Sequence, residues 1–101
     1  MASRLELQSK LEEILGSRNV YYQPPSNINI GYPAIVYSIN DIETRYANNN
    51  NYLIKTRYQI IVIDKKPDND AINRIMELPY ASYDRHYTSD NLNHDVLTLY
   101  F

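Results

Sequence analysis

The densest group of chemically able side chains in this 101-residue sequence is Asp84, Arg85, His86, Asp90, His94 and Asp95. Two imidazoles and a carboxylate are the donors of an open zinc site, where a water takes the remaining position. The spacing argues against that use: His86 and His94 fall on either side of a predicted turn and match none of the helical histidine pairs that hold metal. Asp90, Asn91 and Asn93 are residue types that shape turns by bonding their own backbone. The expectation is a polar turn with locally hydrogen-bonded histidines. Lys65, Lys66 and Arg85 are the right types for an anion. Asp64 and Asp84 adjoin them, however, and with Gly16 and Gly31 the only glycines there is no glycine-rich phosphate loop. No GxSxG nucleophile elbow is present. The sequence therefore predicts no catalytic residue, no metal site and no cofactor, and the chain is not expected to be an enzyme.

The element that must organise such a chain is Tyr52 to Asp64, YLIKTRYQIIVID, the longest run of β-branched and aromatic residues. By alternation, Tyr52, Ile54, Tyr58, Ile60 and Val62 share one apolar face. The other face begins polar with Lys55, Arg57 and Gln59 and becomes apolar at Ile61 and Ile63. This is the pattern of a central strand whose first half extends past its covering helices.

Around it, Ser3 to Leu15 reads as a helix, with Ser3 and Glu6 at capping-box spacing, a Leu7, Leu11, Ile14 and Leu15 stripe, and Gly16 as the left-handed stop. Asn19 to Gln23 is a short edge strand ended by Pro24 and Pro25. Tyr32 to Asn40 is an interior strand. Ile42 to Ala47 is a further strand, joined to the long one through a hairpin tip at Asn48 to Asn51. Beyond Lys65-Lys66-Pro67, Asp68 is placed to cap a second helix over Asn69 to Glu77, with Ala71, Ile72, Ile75 and Met76 on one side. Tyr80 to Tyr87 and Asp95 to Phe101 are closing strands around a turn at Thr88 to Asn93. The fold class is α+β: one domain over residues 1–101, with a mostly antiparallel sheet of four to five strands, both helices on one face and a projecting β-hairpin.

Composition bounds the function. There is no cysteine, hence no disulfide framework, as expected for a reducing compartment. No apolar run reaches the roughly 20 residues of a membrane span, and MASRLELQSK has no signal-peptide core. A net charge of −2 with both signs mixed lacks the basic footprint of a nucleic-acid binder. The aromatic set is unusual, with eleven Tyr, one Phe and no Trp. Tyrosine suits half-exposed strand positions and surfaces that are wet in one state and buried in another. The nine interface candidates read from the hairpin are Arg45, Tyr46, Asn48, Asn49, Asn50, Asn51, Tyr52, Lys55 and Arg57. Glu43 and Arg45 are placed across from Lys55, Arg57 and Gln59, either as solvated cross-strand ion pairs or as a charged surface for another copy.

Several segments, in order, resemble the tail terminator or tail completion proteins of long-tailed bacteriophages, some of them called minor capsid proteins. They are NVYYQPP at Asn19 to Pro25, YPAIVY at Tyr32 to Tyr37, RYQIIVID at Arg57 to Asp64, and LPYASYDRHYTSDNLNHDVLTLYF at Leu78 to Phe101. The resemblance implies a structural virion protein, assembled in the host cytoplasm and located at the tail neck. It would form a homo-oligomeric ring, hexameric in the family, that ends tail-tube polymerisation and joins tail to head. The implied partners are further copies of the chain, the tail tube protein and a head completion or connector protein, with no membrane and no cofactor. The alternatives are a head-tail connector or stopper and, in a different class, a small-ligand or nucleic-acid binding module using tyrosine rings as stacking platforms.

Overall fold

Leu7, Leu11 and Ile14 recur at helical spacing, and helix α1 (Arg4–Leu15) buries all three. It stops where Gly16 adopts φ +74, with the Gly16 and Ser17 amides both donating to the Glu12 carbonyl. This is a computed structural model describing residues 4–24, 30–47, 50–66 and 69–101, with the side chains of residues 40–55 outside the description. Ser3, expected to cap α1, lies outside the described residues.

Five strands follow: β1 (Val20–Tyr22), β2 (Ala34–Ala47), β3 (Asn50–Asp64), β4 (Ala81–Ser89) and β5 (Leu92–Tyr100), with helix α2 (Asp70–Met76) between β3 and β4. They form one sheet in the order β1-β2-β3-β5-β4. The β1–β2 pair is parallel and the other three pairs are antiparallel. The α+β class and the mostly antiparallel sheet are as expected, and β3 is the central strand.

Four details depart from the sequence reading. The two strands expected over Tyr32 to Asn40 and Ile42 to Ala47 are one, beginning at Ala34 and kept continuous by a register shift between Ile39 and Asp41. A bulge of this kind adds twist without ending the ladder. Asn50 and Asn51 belong to β3, while Asn48 and Asn49 lie outside the described residues. The cap of α2 is Asn69, whose side chain accepts from the Ala71 amide at 2.8 Å. Asp68, the expected cap, lies outside the described residues. The last turn is shorter than expected, Asp90 and Asn91 with φ 54 and 62, as a two-residue hairpin of the primed type requires.

Alternation sorts the sheet into two faces. Ile35, Tyr37, Tyr58, Ile60, Val62, Leu97 and Leu99 form one core with Leu7, Leu11 and Ile14 of α1 and Ala71 and Ile75 of α2, so both helices lie on that face. The opposite parity carries Ala34, Ile63 and Val96, also buried, with Val36, Gln59, Ile61 and Thr98 half-buried around them. The second face of β3 thus changes from half-buried Arg57 and Gln59 to buried Ile63 along its length.

Candidate functional site

The carboxylates and histidines that dominate the sequence are divided by the sheet. His86 pairs in register with Asp95, and Tyr87 with His94. Successive residues of a strand point to opposite faces, so His86 and His94 are separated by the backbone layer and do not converge. Each is satisfied locally: His86 Nε2 contacts Asn93 Oδ1 at 3.1 Å, and His94 Nδ1 contacts the Leu92 carbonyl at 3.2 Å. The His94 ring stacks on Tyr87 at 4.6 Å and 10°, with the Arg85 guanidinium 5.7 Å from the Tyr87 ring centre. Asp84 accepts from Thr98 Oγ1 at 2.7 Å. Asp95 is buried and accepts from the Tyr83 hydroxyl at 2.7 Å. Through that bond, first, and then burial, the carboxylate raises the Tyr83 pKa. Among the described residues no group of three His, Asp or Glu could hold a metal ion.

Three tyrosines lie on the helix-covered face. Tyr37 is fully buried, with ring centres 5.0 Å from Tyr22 and 5.9 Å from Tyr58. Its hydroxyl donates to Gln8 Oε1 and accepts from Arg4, whose guanidinium lies 4.4 Å over the Tyr22 ring. Burial raises the Tyr37 and Tyr58 pKa values above the usual phenol range, because the phenolate loses its water. These rings belong to the core and to the α1 contact. Part of the tyrosine excess is therefore structural.

The surfaces left for a partner are strand edges. From Asp41↔Arg57 through Ala47↔Asn50, β2 and β3 pair with each other. The described pairing of β1 with β2 ends at Tyr37, and that of β5 with β3 ends at Arg57. Of the nine interface candidates, Asn48 and Asn49 lie outside the described residues. Arg45, Tyr46, Asn50, Asn51, Tyr52 and Lys55 have described backbone only. Glu43 stands opposite Lys55 as expected, but Arg45 stands opposite Leu53 and Tyr46 opposite Asn51, with a second register shift placing Tyr52 between them. Arg57 is half-buried, opposite Asp41 on one side and Tyr100 on the other.

The other edge is β4. Every residue from Ser82 to Ser89 is exposed, including Tyr83 and Tyr87, and a register shift falls between Tyr83 and Arg85. Sequence reasoning placed a strand here without seeing that it is an edge. The signal was present: Asp84, Arg85 and His86 in mid-strand, since charges and bulges are how edges avoid indiscriminate pairing. Between α2 and this hairpin an open cleft is lined by Asn69, Asp70, Asn73, Tyr83, His86 and Asp95 around Ile72. No helix is long and apolar enough to cross a membrane. No protein-family model matches the chain, and no curated protein matches it.

Proposed function

We propose that this chain is a structural virion subunit that closes into a ring at the head-proximal end of a phage tail, terminates the tube and joins it to the head. The observation that carries the reading is the stretch of β2 from Ile42 to Ala47 and of β3 from Asn50 to Lys55, whose described ladder pairs join the two strands to each other; the last described contacts from elsewhere are the Ile39 amide with Gln23 Oε1 at 3.2 Å and the Phe101 amide with the Thr56 carbonyl at 3.1 Å. A two-stranded ribbon is marginal alone in water and gains stability when further strands or another subunit cover it. The long principal extent of 51 Å against 26 and 23 Å fits an arm that stands clear of the body. The ordered resemblance from Asn19 to Phe101 supports the same reading and supplies the phage context. Function would then be geometric: copies related by rotation expose a circular docking surface for the tube protein on one side and a head completion protein on the other.

Sedimentation and native mass spectrometry over a concentration range test this reading. A closed oligomer of one size is expected, and a strict monomer at every concentration would overturn it. Replacing Tyr46 and Tyr52 by Ser is expected to weaken association at least fivefold with the urea midpoint unchanged, because aromatic anchors at an interface centre contribute about 1 kcal/mol or more.

A further inference from the structure

We propose that the open cleft between α2 and the β4–β5 hairpin binds a guanidinium group, presented on an arginine side chain of another polypeptide. The site does not depend on the ring reading. Strand register assembles it. Tyr83 pairs with Leu97 and His86 with Asp95, and Leu97 belongs to the helix-covered core. Tyr83 and His86 have opposite parity in the chain, so the register shift between Tyr83 and Arg85 is what brings both to that face, beside Asp70 and Asn73 of α2. The cleft holds about 440 Å³, within the range of about 300–1,000 Å³ common for ligand sites.

The hydrogen bonds already made leave acceptors in its wall. Asp95 is only 6% exposed and lines the cleft. Its Oδ1 accepts from the Tyr83 hydroxyl at 2.7 Å. Its other oxygen has no hydrogen-bond partner among the described residues and is not sealed from solvent, so it opens into the cleft. A buried carboxylate with an open oxygen is satisfied best by a cationic donor. The Tyr83 hydroxyl spends its proton on Asp95 and keeps only lone pairs. Asn93 Nδ2 donates to the Lys65 carbonyl, which identifies Asn93 Oδ1 as the atom facing His86 Nε2. The neutral imidazole then carries its proton on Nε2 and leaves Nδ1 to accept. Asn69 is spent on both sides, accepting from the Ala71 amide and donating to Asp64. Asp70 adds a second carboxylate, and no Lys or Arg is among the lining residues.

The cleft therefore offers acceptors and negative charge. Among the described residues no group of three His, Asp or Glu could hold a metal ion, so the fitting cation is one that reaches separated acceptors. A guanidinium does this with a planar fork of N–H donors, and it sheds water more readily than an ammonium. Half-buried Ile72 in the same wall suits the methylene stem of an arginine, whose main chain stays outside the open mouth.

Titration of the full chain with N-acetyl-arginine amide, followed by amide NMR, is expected to give saturable shifts at Asp70, Asn73, Tyr83 and His86. N-acetyl-citrulline amide has the same shape without the charge and is expected to bind about tenfold more weakly, as loss of a hydrogen bond between charged groups implies. Asp95→Asn keeps an oxygen for the Tyr83 hydroxyl and is expected to weaken arginine binding about tenfold for the same reason. Asp70→Asn, at an exposed position, is expected to weaken it about threefold and carries the test if Asp95→Asn does not fold. No saturable shift with the arginine derivative, equal binding of the citrulline derivative, or unchanged affinity in both variants would overturn the site. N-acetyl-lysine amide binding as tightly would overturn the choice of guanidinium. Methylguanidinium binding more tightly than the arginine derivative would overturn the side-chain source in favour of a free small cation. A chain that binds the arginine derivative yet stays monomeric at every concentration supports this site while removing the ring reading.

Discussion

Tyr37 gives the sharpest test of how the fold is held together, because its ring and its hydroxyl do separate jobs that two substitutions divide. The side chain is fully buried, packs between Tyr22 and Tyr58, and ends in hydrogen bonds with Gln8 and Arg4. Tyr37→Phe keeps the packing and removes the hydroxyl. Gln8 keeps its Nε2 bonds to Glu12 at 3.1 Å and to the Val20 carbonyl at 3.0 Å, while its Oε1 and the Arg4 guanidinium each lose the hydroxyl, so the expected cost is two hydrogen bonds, about 1–2 kcal/mol. For a domain of this size each kcal/mol corresponds to a fall in Tm of about 4–8 °C. Tyr37→Ala empties the ring site and is expected to cost about 3–5 kcal/mol. That is a large share of a total stability of about 5–15 kcal/mol. Urea denaturation monitored by circular dichroism measures both. Equal costs for Phe and Ala would refute the division, and an Ala cost below about 1 kcal/mol would remove Tyr37 from the core.

Two further outcomes are expected. The raised pKa values of Tyr37 and Tyr58 mean that the folded state holds the phenol protons more tightly than the unfolded chain. The corresponding stability is complete below the unfolded phenol value of about 10 and is lost as pH rises through the higher folded values, so alkaline unfolding should set in above about pH 10. Tyr37→Phe and Tyr58→Phe together should flatten that slope in urea midpoints measured from pH 8 to 12, and an unchanged slope would contradict the assignment. Asn69→Ala removes the α2 cap and the 2.7 Å bond to Asp64. A loss of about 1 kcal/mol is expected, with Asn69→Ser recovering most of it; no loss would show that the first turn of α2 does not depend on this side chain.

Where alternation and helical spacing applied, the sequence was informative. The Leu7, Leu11, Ile14 stripe, the core positions Tyr58, Ile60 and Val62 of β3 and the Gly16 stop are local patterns, and the structure shows them unchanged. What was not legible is what depends on partners distant in the chain. Nothing in Val20–Tyr22 says that it pairs parallel to β2, because the choice depends on where α1 docks. The choice between Asp68 and Asn69 as cap depended on Asp64, whose carboxylate accepts from the Asn69 side chain and brings it to the helix start. The separation of His86 from His94 required the two-residue turn at Asp90 and Asn91, since the longer turn expected would have left their relative faces open. Strand β1 was legible as an edge from the prolines that follow it, whereas β4 could be recognised as a strand and only the sheet order made it an edge.

The strand order has a consequence for how the fold forms. The β2–β3 and β4–β5 ladders are each contiguous in the chain, and such ribbons close within microseconds. The β3–β5 ladder, where Ile60 meets Leu97, unites them across the whole of α2 and β4. Joining that seam requires a long loop to close first, so it is the slow event in folding. A newly made chain would therefore pass through a stage with its first ribbon finished and its second still searching.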